Sequence, residues 1–197
     1  MLPGLIDAHV HLRGTADLEE LARWGVTTAL DMGSWPPALI AELRKAGSSD
    51  VRSTGAGALG PGSPQAMIPG RPADSVILTP EDGRRFVAIR VAEGMDYIKV
   101  IVEAPGRGGL DLPAVRTIVE AAHDAGRLVV AHASHTGAVA TAQEGCVDVL
   151  THAPLDAVLD QTAVADAGNA GRARTASLNC LSRRVSPPPR PCAPPPR

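Results

Sequence analysis

Aromatic residues are scarce: two Trp, one Tyr and one Phe among 197 residues. A core must therefore be assembled from Ala, Val, Leu and Ile, which suits many short helices packed on a sheet. Cysteine is sparse too. Cys146, Cys180 and Cys192 are an odd number with no CxxC pair, so neither a disulfide framework nor a thiolate zinc site is indicated. No apolar run reaches about 18 residues, and no basic segment followed by a signal-type apolar stretch opens the chain. The expectation is a cytoplasmic protein without membrane contact.

Negative charge is missing from the end of the chain. After Asp166 there is no acidic residue, while Arg172, Arg174, Arg183, Arg184, Arg190 and Arg197 supply six positive charges. Removing them from the net charge of −2 leaves −8 for residues 1–171, a balance unsuited to binding nucleic acid. The segment 172–197, with "VSPPPRPCAPPPR", lacks helical or strand periodicity and is expected to be a disordered Pro/Arg-rich tail. It reads as an interaction arm or as the product of a shifted reading frame in GC-rich coding sequence. The second reading is preferred, because the break interrupts an unfinished structural pattern.

That pattern, over 1–171, alternates helix, glycine and apolar strand. "DLEELARWGVTTALD" places Asp17 as N-cap, stops its helix at Gly25 and continues into a strand over 26–30. "TPEDGRRFVAIRVAEGMDYIKVIV" uses Thr79 as cap, Pro80 as first helical residue, Gly94 as stop and 97–102 as strand. "LPAVRTIVEAAHDAGRLVVAH" repeats the cycle with Gly126, and "GAVATAQEGCVDVLTH" with Gly145. A fifth helix is expected over 156–167 and a seventh strand after Gly168. Strands at 5–9 and 51–56 complete the set. Alternation at this spacing means parallel βαβ units. The fold class expected is α/β, an incomplete (β/α)8 barrel of six to seven strands, rather than an open doubly wound sheet, because several strand ends carry titratable residues.

Those residues begin with "PGLIDAHVH". His9 and His11 are two apart on a strand and so share one face, where their imidazoles can converge on a metal ion. The pair alone equally suits strand-end histidines bonded to backbone or water. Lys99 in "DYIKV", His132 in "VVAHASH" and His152 in "VDVLTHAPLD" sit within or at the ends of three further strands. Taken in order, the four motifs resemble the amidohydrolase superfamily, in its prolidase-like and imidazolonepropionase-like branch. The resemblance spans roughly residues 2–160.

The resemblance implies a metal-dependent hydrolase of amide or other C–N bonds, acting on peptide or cyclic amide substrates through a binuclear metal-activated hydroxide. It implies His9, His11, Lys99, His132 and His152 as ligands, two zinc ions (Mn, Co, Ni or Fe being chemically acceptable), and carbon dioxide carried as a carbamate on Lys99. An arbitrary lysine would instead snorkel from its strand or pair with an acid such as Asp31. His135 is a substrate-binding candidate or, equally, a helix-start residue; His123 reads as solvent-facing. The stretch 55–72, rich in Gly and Pro, is expected to overhang the barrel mouth as a lid. The superfamily's strand-eight aspartate, its proton carrier, has no match here, so no catalytic residue is assigned and weak activity is expected of a fragment. Two other readings stand beside this one: a TatD-like metal-dependent nuclease, which uses glutamate where Lys99 stands, and a non-catalytic metal-binding fragment. Self-association through exposed sheet edges is a further expectation.

Overall fold

A computed structural model describes residues 2–164 as two three-stranded parallel sheets with helices between successive strands. The first contains β1 (Leu5–Val10), β2 (Val26–Asp31) and β3 (Asp50–Ser53); the second contains β4 (Ile98–Ile101), β5 (Val129–His132) and β6 (Val149–Leu150). Helices α1 (Thr15–Arg23), α2 (Pro37–Ala46), α3 (Pro80–Ala92), α4 (Leu112–Asp124) and α5 (Thr136–Glu144) complete the alternation. Each strand pairs in parallel with its sequence neighbour inside its own sheet. The parallel βαβ expectation is met.

The helix boundaries follow from capping chemistry. At α3 the Thr79 side chain accepts from the Asp82 N–H and the Asp82 carboxylate accepts from the Thr79 N–H, a reciprocal box that Pro80 extends by lacking an N–H of its own. Gly94 and Gly126 follow α3 and α4 with φ of 76° and 67°, a region in which only glycine is unstrained. Three expectations are corrected. Asp17 does not cap α1: the helix starts two residues earlier, and the Asp17 carboxylate instead accepts from the backbone and guanidinium of Arg13. Helix α2 was not foreseen. Its first residue is a proline preceded by another, which reads as a loop, although Pro at the first turn is tolerated because that N–H has no intrahelical partner. The helix expected from 156 begins only at 161, and Leu155 instead donates its N–H to the Ser134 carbonyl.

A further correction concerns the glycine-rich stretch. Residues 55–60 are buried and run along β4 instead of overhanging it. Ala58 pairs with Val100, donating to the Lys99 carbonyl at 2.8 Å and accepting from the Ile101 N–H at 2.8 Å. This extension of β3 joins the two sheets. The approach is so close that a Cβ at Gly60 would lie 2.3 Å from the Gly109 carbonyl oxygen, so glycine here serves contact between backbones, not looseness. Residues 61–72 remain as a surface loop with one 3-10 turn, Pro64–Met67.

The main core lies in the second half. Phe86, Ile118, Val115, Ile98, Val100 and Val129, all fully buried, pack α3 and α4 against β4 and β5. A smaller cluster under the first sheet joins Leu18, Ile40, Leu43 and Val51 to Met95, and a third joins Leu30 and Met32 to Tyr97 and Val130. The Tyr97 hydroxyl reaches the Asp31 and Arg52 carbonyls at 2.9 and 3.1 Å, tying the start of β4 to the first sheet. The strand expected after Gly168 and the tail at 172–197 lie outside the described residues. No helix among the described residues is long and apolar enough to cross a membrane.

Candidate metal centre

The C-terminal ends of β1, β4, β5 and β6 bring five of the sequence-derived candidates to one end of the sheets. His9 and His11 come from β1 and the residue just past it, His132 closes β5, and His152 follows β6 by two residues. Their rings form a chain: centroids are 5.2 Å apart for His9–His11, 4.9 Å for His9–His152 and 4.4 Å for His132–His152. Lys99, only 2% exposed, lies within β4, and its Nζ donates to Thr151 Oγ1 at 3.1 Å. Thr151 Oγ1 donates in turn to the Ala131 carbonyl at 3.0 Å, which fixes the hydroxyl as an acceptor for the lysine.

This environment is hostile to positive charge. Burial, and then the Lys99 charge, push the His9 pKa down to about 4; burial, and then His152, bring His132 down to about 4 as well. Burial lowers His152, and it lowers His11 against the opposing pull of Asp31. The same burial brings Lys99 down to about 8, resisted only by Asp31. Crowding basic groups in low dielectric favours their neutral forms. Neutral imidazoles are the metal-binding form.

The fit to a metal can be tested on distance. His9 Nε2 and His11 Nε2 are 3.3 Å apart. Two nitrogens each about 2.0–2.1 Å from one tetrahedral ion are separated by about 3.3 Å. Among the described residues no three His, Cys, Asp or Glu side chains are gathered closely enough to enclose an ion unaided. The fit therefore rests on this spacing and on the chemistry of four neutral imidazoles around a buried amine.

Asp31, named from sequence only as the kind of acid with which an arbitrary lysine would pair, has another role. It is fully buried at the end of β2 and accepts from the Leu12 N–H, the Ser34 N–H, the Ser34 hydroxyl and the Ser53 hydroxyl. It thereby holds the backbone just after His11 to the ends of β2 and β3, and acts on Lys99 only at longer range. Thr151 was missed altogether; its position beside His152 was the available signal. His135 is the N-cap of α5: its Nδ1 accepts from the Gly137 N–H and its Nε2 lies 3.2 Å from Asp156 Oδ2. His123 is not solvent-facing as expected. Its Nε2 lies 2.8 Å from the buried Asp148 carboxylate, which also accepts from the Val129 N–H near the start of β5, away from the histidines.

Parallel strands joined through helices, with a cluster of imidazoles and a buried lysine toward the strand ends, define an α/β fold with its polar residues gathered at one end. The chain belongs to the amidohydrolase family, whose family model matches residues 1–178. Among solved structures it is similar to a Xaa-Pro dipeptidase with methionine bound in its active site, at TM-score 0.68 and 20% identity over 86% of this chain and 52% of the other. It is similar to a putative prolidase from Bifidobacterium longum, at TM-score 0.65 and 25% identity over 83% and 42%. It also resembles the ochratoxinase of A. niger, at TM-score 0.67 and 20% identity over 86% and 50%. The chain thus spans about half the length of these proteins. No curated protein matches its sequence.

Proposed function

We propose that this chain carries the metal centre of a hydrolase of amide or other C–N bonds, with peptide or cyclic amide substrates. The observation that carries the reading is the chain of His11, His9, His152 and His132 rings, each of which feels the charge of the buried Lys99. These five residues would hold two divalent ions, zinc being best matched to the imidazole donors. Bound there, such ions supply an acidified water and a polarised carbonyl.

The chain's own residues prepare that site. An ammonium at Lys99 would repel cations, but with a pKa of about 8 about a tenth of the side chain is free amine at pH 7. The amine lone pair attacks the carbon of carbon dioxide, a proton leaves to solvent, and the cation becomes an anionic carbamate with two donor oxygens. Thr151, which accepts from Lys99 Nζ, orients it toward the histidines. His135, spent on capping α5 and facing Asp156, is kept as a substrate contact only at the rim. A lysine at the buried centre of β4, where the nuclease reading needs a glutamate, sets that alternative behind. Because no residue is assigned to move the proton from water to leaving group, turnover by this chain is expected to be weak.

The test is zinc content after dialysis with bicarbonate, for the parent, Lys99→Ala and His132→Ala. Uptake by the parent, a large loss in both variants, and partial rescue of Lys99→Ala by a short carboxylate are expected; Lys99→Arg should not rescue. Parent protein without zinc, or Lys99→Ala with as much as the parent, would overturn the proposal.

A further inference from the structure

Helices α1, α3 and α4 end in one way. Two residues past the last helical position the backbone enters the left-handed region, its N–H bonded to the carbonyl three residues back, and the residue there is Gly25, Gly94 or Gly126. Glycine suits the position because a Cβ in that conformation crowds the neighbouring carbonyl. Helix α5 ends in the same way with a different residue. Cys146 stands two positions past Glu144 with φ of 60°, and its N–H reaches the Gln143 carbonyl at 2.9 Å. Among the described residues it is the one residue other than glycine with a positive φ. A side chain kept at a cost to the backbone points to a use for that side chain.

The use is at the sulfur. Cys146 is half-buried against the main core and is disulfide-bonded. The sequence has two other cysteines, Cys180 and Cys192, both in the basic segment 172–197 and both outside the described residues. An odd count of three argues against a framework of bridges, but it leaves room for one bridge and one thiol. The chain is brought to the right place for it: Ala163, one residue before the described part ends, accepts from Gln143 Nε2 at 2.9 Å beside the last turn of α5. At about 3.3 Å per residue, the 16 residues from Val164 to Cys180 reach up to about 50 Å, ample for a return to Cys146. The surroundings also suit a segment with six arginines and no acid. Glu144 is exposed on α5, and Glu120 and Asp124 are exposed on α4, which lies against this turn through Arg116, whose Nε donates to the Glu144 carbonyl at 3.3 Å.

We infer that Cys146 is a covalent attachment site for the chain's own basic segment, joined by a disulfide to Cys180 or Cys192. The bond forms by exchange with a small-molecule disulfide, oxidised glutathione being the probe. A thiolate of the segment attacks one glutathione sulfur and expels one glutathione thiol; Cys146 then attacks the segment's sulfur in the mixed disulfide and expels the second. Two protein thiols are oxidised, the glutathione disulfide is reduced, and the two protein protons end on the two glutathione thiols. A dithiol reverses the exchange, so the tether follows the thiol–disulfide balance around the protein. Joined, the arginines are held beside the exposed acids of α4 and α5; reduced, the segment is released as an arm. Cys146 lies where α5 leads into β6, and nothing in this inference depends on the histidines, Lys99 or the hydrolase reading.

The experiment equilibrates the full chain with oxidised glutathione, alkylates the remaining thiols and digests with trypsin without reductant. The three cysteines fall on separate tryptic peptides, 128–172, 175–183 and 185–197, so mass spectrometry reads each pairing directly. The expected product is 128–172 joined to 175–183 or 185–197, with the third cysteine alkylated and the pair lost after dithiothreitol. A non-reducing gel should show the bridge within a single chain. Brief trypsin treatment of the folded protein should leave the bridged peptide attached to the body when oxidised and release it when reduced. Cys146→Gly should lose the pair and release the peptide under both conditions while keeping the parent's far-UV circular dichroism, because φ of 60° suits glycine. The parent's peptide map needs no variant to fold. A pair of 175–183 with 185–197, a Cys146 found only alkylated or glutathione-bound, or a bridge found only between two copies would each overturn the inference.

Discussion

The two sheets do the same work under opposite conditions. Strand β1 delivers His9 and His11 from a strand whose residues are exposed or half-buried throughout, with Leu5 58% and Ile6 53% exposed. Strand β4 delivers Lys99 from a strand buried at every position. For the proposed metal centre the β1 histidines would need only neutrality, toward which partial burial works, whereas a lysine would have to be desolvated thoroughly before its amine is released. Strand β1 thus holds its histidines close to solvent, and β4 holds its lysine away from it.

The largest test of this contrast is Ile118→Ala. Ile118 is fully buried where α4 meets the principal core, and its truncation should destabilise the protein by about 2–5 kcal/mol in urea or thermal denaturation. A loss below about 1 kcal/mol would mean that the second half is no more tightly packed than the first.

A smaller effect, but a more specific one, is expected from pH in metal-free protein. With a folded-state pKa of about 8 against the ordinary 10.5, Lys99 binds fewer protons in the folded chain than in the unfolded chain across that interval. Stability contributed at this position therefore rises from about pH 8 to 10.5, and the ammonium penalty is fully present below pH 8. Lys99→Met should be more stable than the parent at pH 7, and the difference should shrink toward pH 10.5. His9 and His132, at about 4 against 6.5, act in the same sense at lower pH: stability falls as pH drops from 6.5 to 4. Replacing both by Gln should flatten that limb. Urea midpoints across pH measure both, and a parent-minus-variant difference that does not vary with pH would refute the assigned environments.

The smallest expected effect is at the exposed edge. Leu5→Ser should change stability by no more than about 0.5 kcal/mol, while reducing any self-association seen by analytical ultracentrifugation, because β1 has no strand on its outer side among the described residues.

Much of this was legible because the signals were local. A cap and a glycine bracket α3 within one stretch of sequence, and an apolar strand ending in histidine reads directly at β5. The buried lysine was legible only in company: nothing around Lys99 distinguishes it from a snorkelling lysine, and the histidine motifs before and after it supply the context. What failed depended on distance in the chain. Asp31 gathers Leu12, Ser34 and Ser53 from three segments, and Asp148 meets His123 from 25 positions away, so neither partnership has a sequence period to betray it. The segment 55–60 failed for a different reason. Glycine and proline signal a loop when they free the backbone, but glycine also lets a backbone press against another, and composition does not separate these uses.

The third core cluster also bears on how the chain is made. Leu30 and Met32 belong to the first sheet, yet the side chain that covers them is Tyr97, more than sixty positions later. On a ribosome, the first sheet emerges well before its lid does, at about 5–20 residues per second. For those seconds the apolar patch of Leu30 and Met32 faces solvent, and the arrival of Tyr97, whose hydroxyl reaches the Asp31 main-chain carbonyl, covers it. Nascent chains stalled between β3 and β4 are therefore the species on which a chaperone would act, and rare codons in that interval would lengthen the exposure.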